Sequence, residues 1–111
     1  MDIATRKSNN LTIVDFNFSS LDAGTATEFK SSMAKILDSD THFVFNLENL
    51  KFIDSSGLGA ILSCLKTVAP KGGEIKLCNL SKSARIIIEL VNMHKVFEIY
   101  NTVEEGVRSF A

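Results

Sequence analysis

Apolar and polar positions change their spacing several times along this chain, and the changes mark out its elements. Residues 2–7 and 11–18 read as two strands. Between them Ser8-Asn9-Asn10 suits a hairpin turn, because Asn tolerates the left-handed backbone such turns use. Asp22 reads as a helix N-cap. After it Ala26, Phe29, Met33, Ile36 and Leu37 recur at helical spacing, which predicts a first helix to about Leu37. Residues 42–47 form a third strand. Its run Phe43-Val44-Phe45 does not alternate, as expected for a strand buried on both faces. Leu58, Ile61, Leu62 and Leu65 predict a second helix over about 55–69, ended by Pro70 and Gly72-Gly73. Residues 74–79 are a fourth strand, and Ser81 caps a third helix carrying Ala84, Ile87, Ile88 and Val91. A short strand is expected over 96–100. Thr102 and Glu105 then have capping-box spacing for a last helix with Val103, Val107 and Phe110 inward.

Strands that alternate with helices after an initial hairpin predict a single α/β domain over residues 1–111. Its sheet is mixed: an N-terminal antiparallel hairpin, later strands parallel, and about four flanking helices. In such sheets ligands and partners meet the carboxyl ends of strands, where helices begin. Asp54-Ser55-Ser56 lies at one such end and Asp22 at another, so the two junctions are expected to lie close together.

Composition narrows the function classes. With 111 residues and 45% hydrophobic content, the chain makes one ordinary domain with a core and is not disordered. A net charge of −1 leaves no basic footprint for nucleic acid. Apolar runs such as Ile86-Ile87-Ile88 are too short for a membrane span. The start Met1-Asp2-Ile3-Ala4-Thr5-Arg6 has no basic leader followed by an apolar stretch, so the expected location is the cytoplasm. Cys64 and Cys78 fit no metal spacing and are read as buried reduced thiols. No cofactor is expected.

The chemistry concentrates in Phe52-Ile53-Asp54-Ser55-Ser56-Gly57-Leu58-Gly59. A hydrophobic strand stops shortly before this segment and a helical pattern starts inside it. A helix N-terminus offers unpaired N–H groups and partial positive charge. A serine there serves as a cap, a nucleophile or a phosphorylation site. A Ser-His-Asp arrangement is disfavoured, because no His lies near Asp54 in sequence and His42 and His94 read as ordinary strand-edge and loop residues. Gly57 and Gly59 lack the third glycine of a dinucleotide fingerprint. They suit close backbone approach, by a neighbouring strand or a partner. Ser56 reads as structural. Leu58 either opens the buried helical stripe or faces a partner.

The segment Ile53-Asp54-Ser55-Ser56-Gly57-Leu58-Gly59 resembles the signature of STAS domains, specifically the free-standing anti-sigma-factor antagonists of bacterial partner-switching systems. The resemblance runs along the whole chain. The opening hairpin, the Leu21-Asp22 junction and the ending Val96-Phe97-Glu98-Ile99-Tyr100 with Thr102-Val103-Glu104-Glu105 fall in the family's order. It implies a non-enzymatic switch protein. Unphosphorylated, such a protein binds an anti-sigma factor that is also a GHKL-type serine kinase. Phosphorylation releases it, and a PPM-type phosphatase resets it. Carried over by position, the phosphoacceptor is Ser55, with Asp54, Ser56 and Gly57 beside it. Asp22 lies at the neighbouring junction of the family's partner face. Because both junctions follow strand ends on one edge of the sheet, the expected partner face takes in Gly24 and Thr25 beside Asp22, and Leu58 beside Ser55 and Ser56. One departure is visible: Ser19 stands where the family often has Gly. A non-switching STAS subunit docked on a membrane transporter or its ATPase is the alternative, and the serine at 55 favours the switch.

Overall fold

The structure, a computed structural model, describes all 111 residues. Strands β1 (Ile3–Ser8) and β2 (Leu11–Phe16) form the antiparallel hairpin. Asn9 turns the corner with a positive φ of 54°. Helix α1 (Ala26–Asp38) leads to β4 (His42–Asn46), α2 (Ser55–Val68) to β6 (Glu74–Cys78), and α3 (Lys82–Leu90) to β7 (Glu98–Tyr100); α4 (Val103–Arg108) follows. Two further strands, β3 (Ser20–Leu21) and β5 (Phe52–Ile53), lie between β2 and α1 and between β4 and α2. The main sheet has the order β1-β2-β4-β6-β7, parallel from β2 onward, while β3 and β5 pair as a separate parallel ribbon.

The strand order explains where the layers sit. Each crossover from β2 to β4, β6 and β7 steps in the same direction. Right-handed crossovers of that kind put every intervening helix on one face. Accordingly α1, α2 and α3 share one core with Val14, Phe16, Phe43, Phe45, Ile75 and Leu77. The alternate strand residues Leu11, Ile13, Val44 and Cys78 point to the other face, where α4 covers them with Val103. Both faces are buried, which is why Phe43-Val44-Phe45 carries no polar alternation. Cys64 packs in the first core and Cys78 in the second, so the sheet separates these two free, buried thiols.

β1 is one edge of the sheet. Its Arg6 makes a two-pronged bond to Asp15, at 2.8 and 2.9 Å, and Lys7 pairs with Asp40 at 3.0 Å. On the α4 side Lys76 is buried. Its ammonium donates to Ser109 Oγ at 2.8 Å, lies 3.2 Å from Glu98 and sits 4.1 Å from the Phe110 ring centre.

Several sequence expectations are corrected. β2 ends at Phe16, and residues 17–18 lie outside it. Asp22 is not the cap of α1: the helix starts at Ala26 and Thr25 holds the N-cap position, without a side-chain bond to the helix. Val91 lies past the end of α3 and is half exposed, so it does not belong to the buried stripe. The last strand is shorter than expected, since Val96 is exposed and pairing begins at Glu98. The capping box at Thr102 and Glu105 is present with both of its bonds. Ser81 caps α3 by accepting from the Ala84 N–H at 3.2 Å.

Candidate functional site

The β3–β5 ribbon builds the site. Ser20 pairs with Phe52 and Leu21 with Ile53, and the N–H groups of Lys51 and Phe52 both donate to the Ser19 carbonyl. That carbonyl serves a serine as well as a glycine, so the departure at Ser19 keeps the loop tied. The last rung is the Asp54 N–H on the Leu21 carbonyl, at 3.3 Å. Beyond it the two strands run into different helices. The ribbon thus carries the first junction to the side of the second, as the expectation of neighbouring junctions requires. The route differs from the expected one: the junctions extend a small separate ribbon, not the edge of the main sheet.

Gly57 lets the two approach. A Cβ there would stand 2.1 Å from the Leu21 carbonyl oxygen, far inside contact distance. The close approach read from sequence is therefore made by the neighbouring strand. Gly59 shows the opposite: it is exposed and nothing lies near its missing Cβ, so it makes no close approach.

At the start of α2 the N-cap is Asp54, and Ser55 is the first helical residue. Asp54 Oδ1 accepts from the Gly57 N–H at 2.9 Å. Its Oδ2 accepts from the Ala23 N–H at 3.1 Å, across 31 positions of sequence. The Gly57 N–H first, and Ala23 and Ser56 after it, hold the Asp54 carboxyl below its ordinary range. Because Asp54 holds the cap bond, Ser55 is not needed as a cap. Ser55 and Ser56 are both exposed in a first turn that contains no acidic residue. In the first junction Asp22 Oδ1 accepts from the Gly24 N–H at 2.9 Å, and the Asp22 carbonyl from the Thr25 N–H at 3.1 Å. Thr25 Oγ1 is turned inward, accepting from the Asp22 N–H at 3.0 Å. Gly24 is exposed and Asp22 and Thr25 are half-buried.

Leu58 requires a correction. It is 5% exposed and belongs to the helical core, so its side chain does not face a partner. Its place among the surface residues goes to Phe52, which is 54% exposed just before the motif. The sequence signal for Phe52 was its alternation with buried Ile53, too short to be read. Behind it α3 is fastened to the ribbon by Ser83 Oγ donating to the Lys51 carbonyl at 2.8 Å. No group of three or more His, Cys, Asp or Glu is placed to hold a metal ion, and no helix is long and apolar enough to cross a membrane.

Three helices on one face of a mixed sheet and α4 on the other, with an exposed serine opening a helix beside a second junction, define an α/β domain of the STAS type. The chain matches the STAS domain over residues 2–106, and it belongs to that family. Among curated relatives it is 38% identical over 60 residues to the anti-sigma F factor antagonist of Paenibacillus polymyxa, covering 54% of this chain and 51% of that one. The match thus spans about half the length of that relative. It is 24% identical over 88 residues to the anti-sigma-B factor antagonist of Bacillus subtilis, covering 79% and 81%. Among solved structures, the unphosphorylated anti-sigma factor antagonist SpoIIAA superposes with a TM-score of 0.79 at 20% identity, covering 98% of this chain and 96% of that one. A sulfate transporter family protein from Wolinella succinogenes superposes with a TM-score of 0.77 at 13% identity, covering 92% and 85%. At these identities the superpositions define the fold alone.

Proposed function

We propose that the protein is an anti-sigma-factor antagonist that binds a GHKL-type serine kinase/anti-sigma factor while unphosphorylated and is released when Ser55 is phosphorylated. A PPM-type phosphatase then resets it. The observation that carries this reading is the division of labour at the start of α2: Asp54 caps the helix, and Ser55 is left exposed beside it. The names of its relatives support the same reading.

The physics of the switch is local. A phosphate adds about −1.5 to −2 charges and three acceptor oxygens. At a helix N-terminus that charge gains about 0.3–1 kcal/mol, so the fold tolerates it. A partner docked over the same turn faces an unpaired dianion, which costs about 2–5 kcal/mol. Affinity then falls about 30- to 4000-fold.

The test is incubation with GHKL kinases of the source organism and ATP, followed by phosphopeptide mapping. The expected product carries phosphate on Ser55 alone. Ser55→Ala should bind the kinase and resist phosphorylation. Ser55→Asp should melt as wild type and bind more weakly, by part of the phosphate's effect because it carries one charge. Phosphate on Ser56 with Ser55 unmodified, or undiminished binding by Ser55→Asp, sinks the reading. The alternative of a subunit docked on a transporter has in its favour the fold shared with transporter-family proteins. It supplies no reason for an exposed serine at this place.

A further inference from the structure

We propose that Asp54 is the positioning residue of this site, a clamp whose carboxylate fixes the spacing between the two junctions. The inference rests on Ser55 as phosphoacceptor and adds what holds that serine in register with the Asp22 turn.

A helix cap needs one oxygen. Ser81 and Thr102 cap α3 and α4 of this chain with a single hydroxyl each. At α2 the cap is a carboxylate, and its second oxygen serves another element. Oδ1 receives the Gly57 N–H of α2, and Oδ2 receives the Ala23 N–H of the turn before α1. Backbone pairing between the junctions stops at the Asp54 N–H on Leu21. Past that rung the chains diverge, and the Asp54 side chain bridges them. Ala23 is the second residue of the turn closed by the Thr25 N–H on the Asp22 carbonyl. Holding Ala23 therefore holds Asp22 and Gly24 on either side of it. A partner that reads both junctions meets one fixed surface, and without the clamp it must order the turn as it binds.

Two variants separate the bridge from the cap. Asp54→Asn keeps a side chain equal to Asp as a cap, but an amide has one oxygen, so Ala23 or Gly57 loses its acceptor whichever way the group turns. Ala23→Pro removes the donor instead and leaves Asp54 intact, at a turn position that favours Pro. Amide exchange on the isolated chain should show one of the two N–H groups in Asp54→Asn exchanging about 10- to 100-fold faster. In phosphorylation assays each variant should raise KM several-fold with kcat held. Where exchange identifies Ala23 as the group that lost its acceptor, the double variant should be no worse than Asp54→Asn alone, because both then remove the same bond. Unchanged exchange at both N–H groups, an unchanged KM in Ala23→Pro, or fully additive effects when Ala23 is the group exposed in Asp54→Asn overturns the clamp. If the wild-type chain is not phosphorylated on Ser55, the phosphoacceptor reading fails, and the exchange result alone decides the clamp.

Discussion

A residue's role here depends on what stands one position away. Ser55 is free for chemistry because Asp54 holds the cap, and Leu58 is buried because it opens the helical stripe. The same dependence governs the thiols. Burial pushes Cys64 up to about 12 and Cys78 up to about 11, so neither forms thiolate near neutral pH. In the native protein both should resist a disulfide reagent at pH 8 and react together on unfolding in denaturant. Fast reaction of either one in the folded chain contradicts this. Part of the site was legible at this scale. Serine after aspartate at a strand-to-helix change was legible as a helix entry; the choice of Ser55 as phosphoacceptor came from the family resemblance, not from the local pattern. Which of the two would cap was not legible, since Asp, Ser and Thr cap almost equally and a one-residue shift in the helix start decides among them. The same near-equality of capping residues let the cap of α1 lie at Thr25, three positions beyond Asp22.

Long periodic segments were legible as elements because a helical stripe repeats over several turns; α1 and α2 lie close to where their apolar spacing put them. The β3–β5 ribbon was not, because two-residue strands repeat nothing. One trace of it is Gly57, where the ribbon approaches α2; Gly59, two residues on, has no such part, and the two glycines should respond differently to substitution. Gly57→Ala drives a methyl into the Leu21 carbonyl and forces the ribbon away from α2. That overpacking should cost about 1–3 kcal/mol, at the upper end because backbone must move. Gly59→Ala meets open space and should gain up to about 1 kcal/mol from helix propensity. Denaturant midpoints of the two variants check the prediction, and equal signs would refute this account of the ribbon.

At the level of the whole molecule, the strand order separates two jobs. One face packs three helices and carries the candidate site; the other is closed by α4 over Val44 and Cys78. Carboxylates tie the outer parts together, and their shifts set an acid limit. The Arg6 hydrogen bonds hold Asp15 below its ordinary value of 3.8. At Asp40 burial pushes upward, but bonds from Lys7, the Thr41 N–H and Thr12 outweigh it, and the net direction is again downward. Glu98 is lowered by the Tyr100 hydroxyl and then by Lys76. A carboxylate whose folded value is depressed binds its proton more readily in the unfolded chain. Its contribution is therefore complete above the unfolded value and lost as pH falls through the folded one. Unfolding free energy should be level from neutral pH to about 5 and fall steadily below about 4. Asp15→Asn should flatten that fall; an acid limb of unchanged slope would remove Asp15 from the account.

The two cations on β1 have a consequence for how these molecules behave in a crowd. An open strand edge is a template on which identical chains stack, and charged side chains are the common guard against it. Here the guards are Arg6 and Lys7. They keep their charge in acid, where Asp15 and Asp40 lose theirs and leave them unneutralised. Acid should thus loosen the fold while strengthening repulsion between edges, and the product should be soluble single chains. Replacing both with threonine should reverse that outcome and give light-scattering stacks at high concentration. Clear solutions of that double variant would mean that β1 needs no guard.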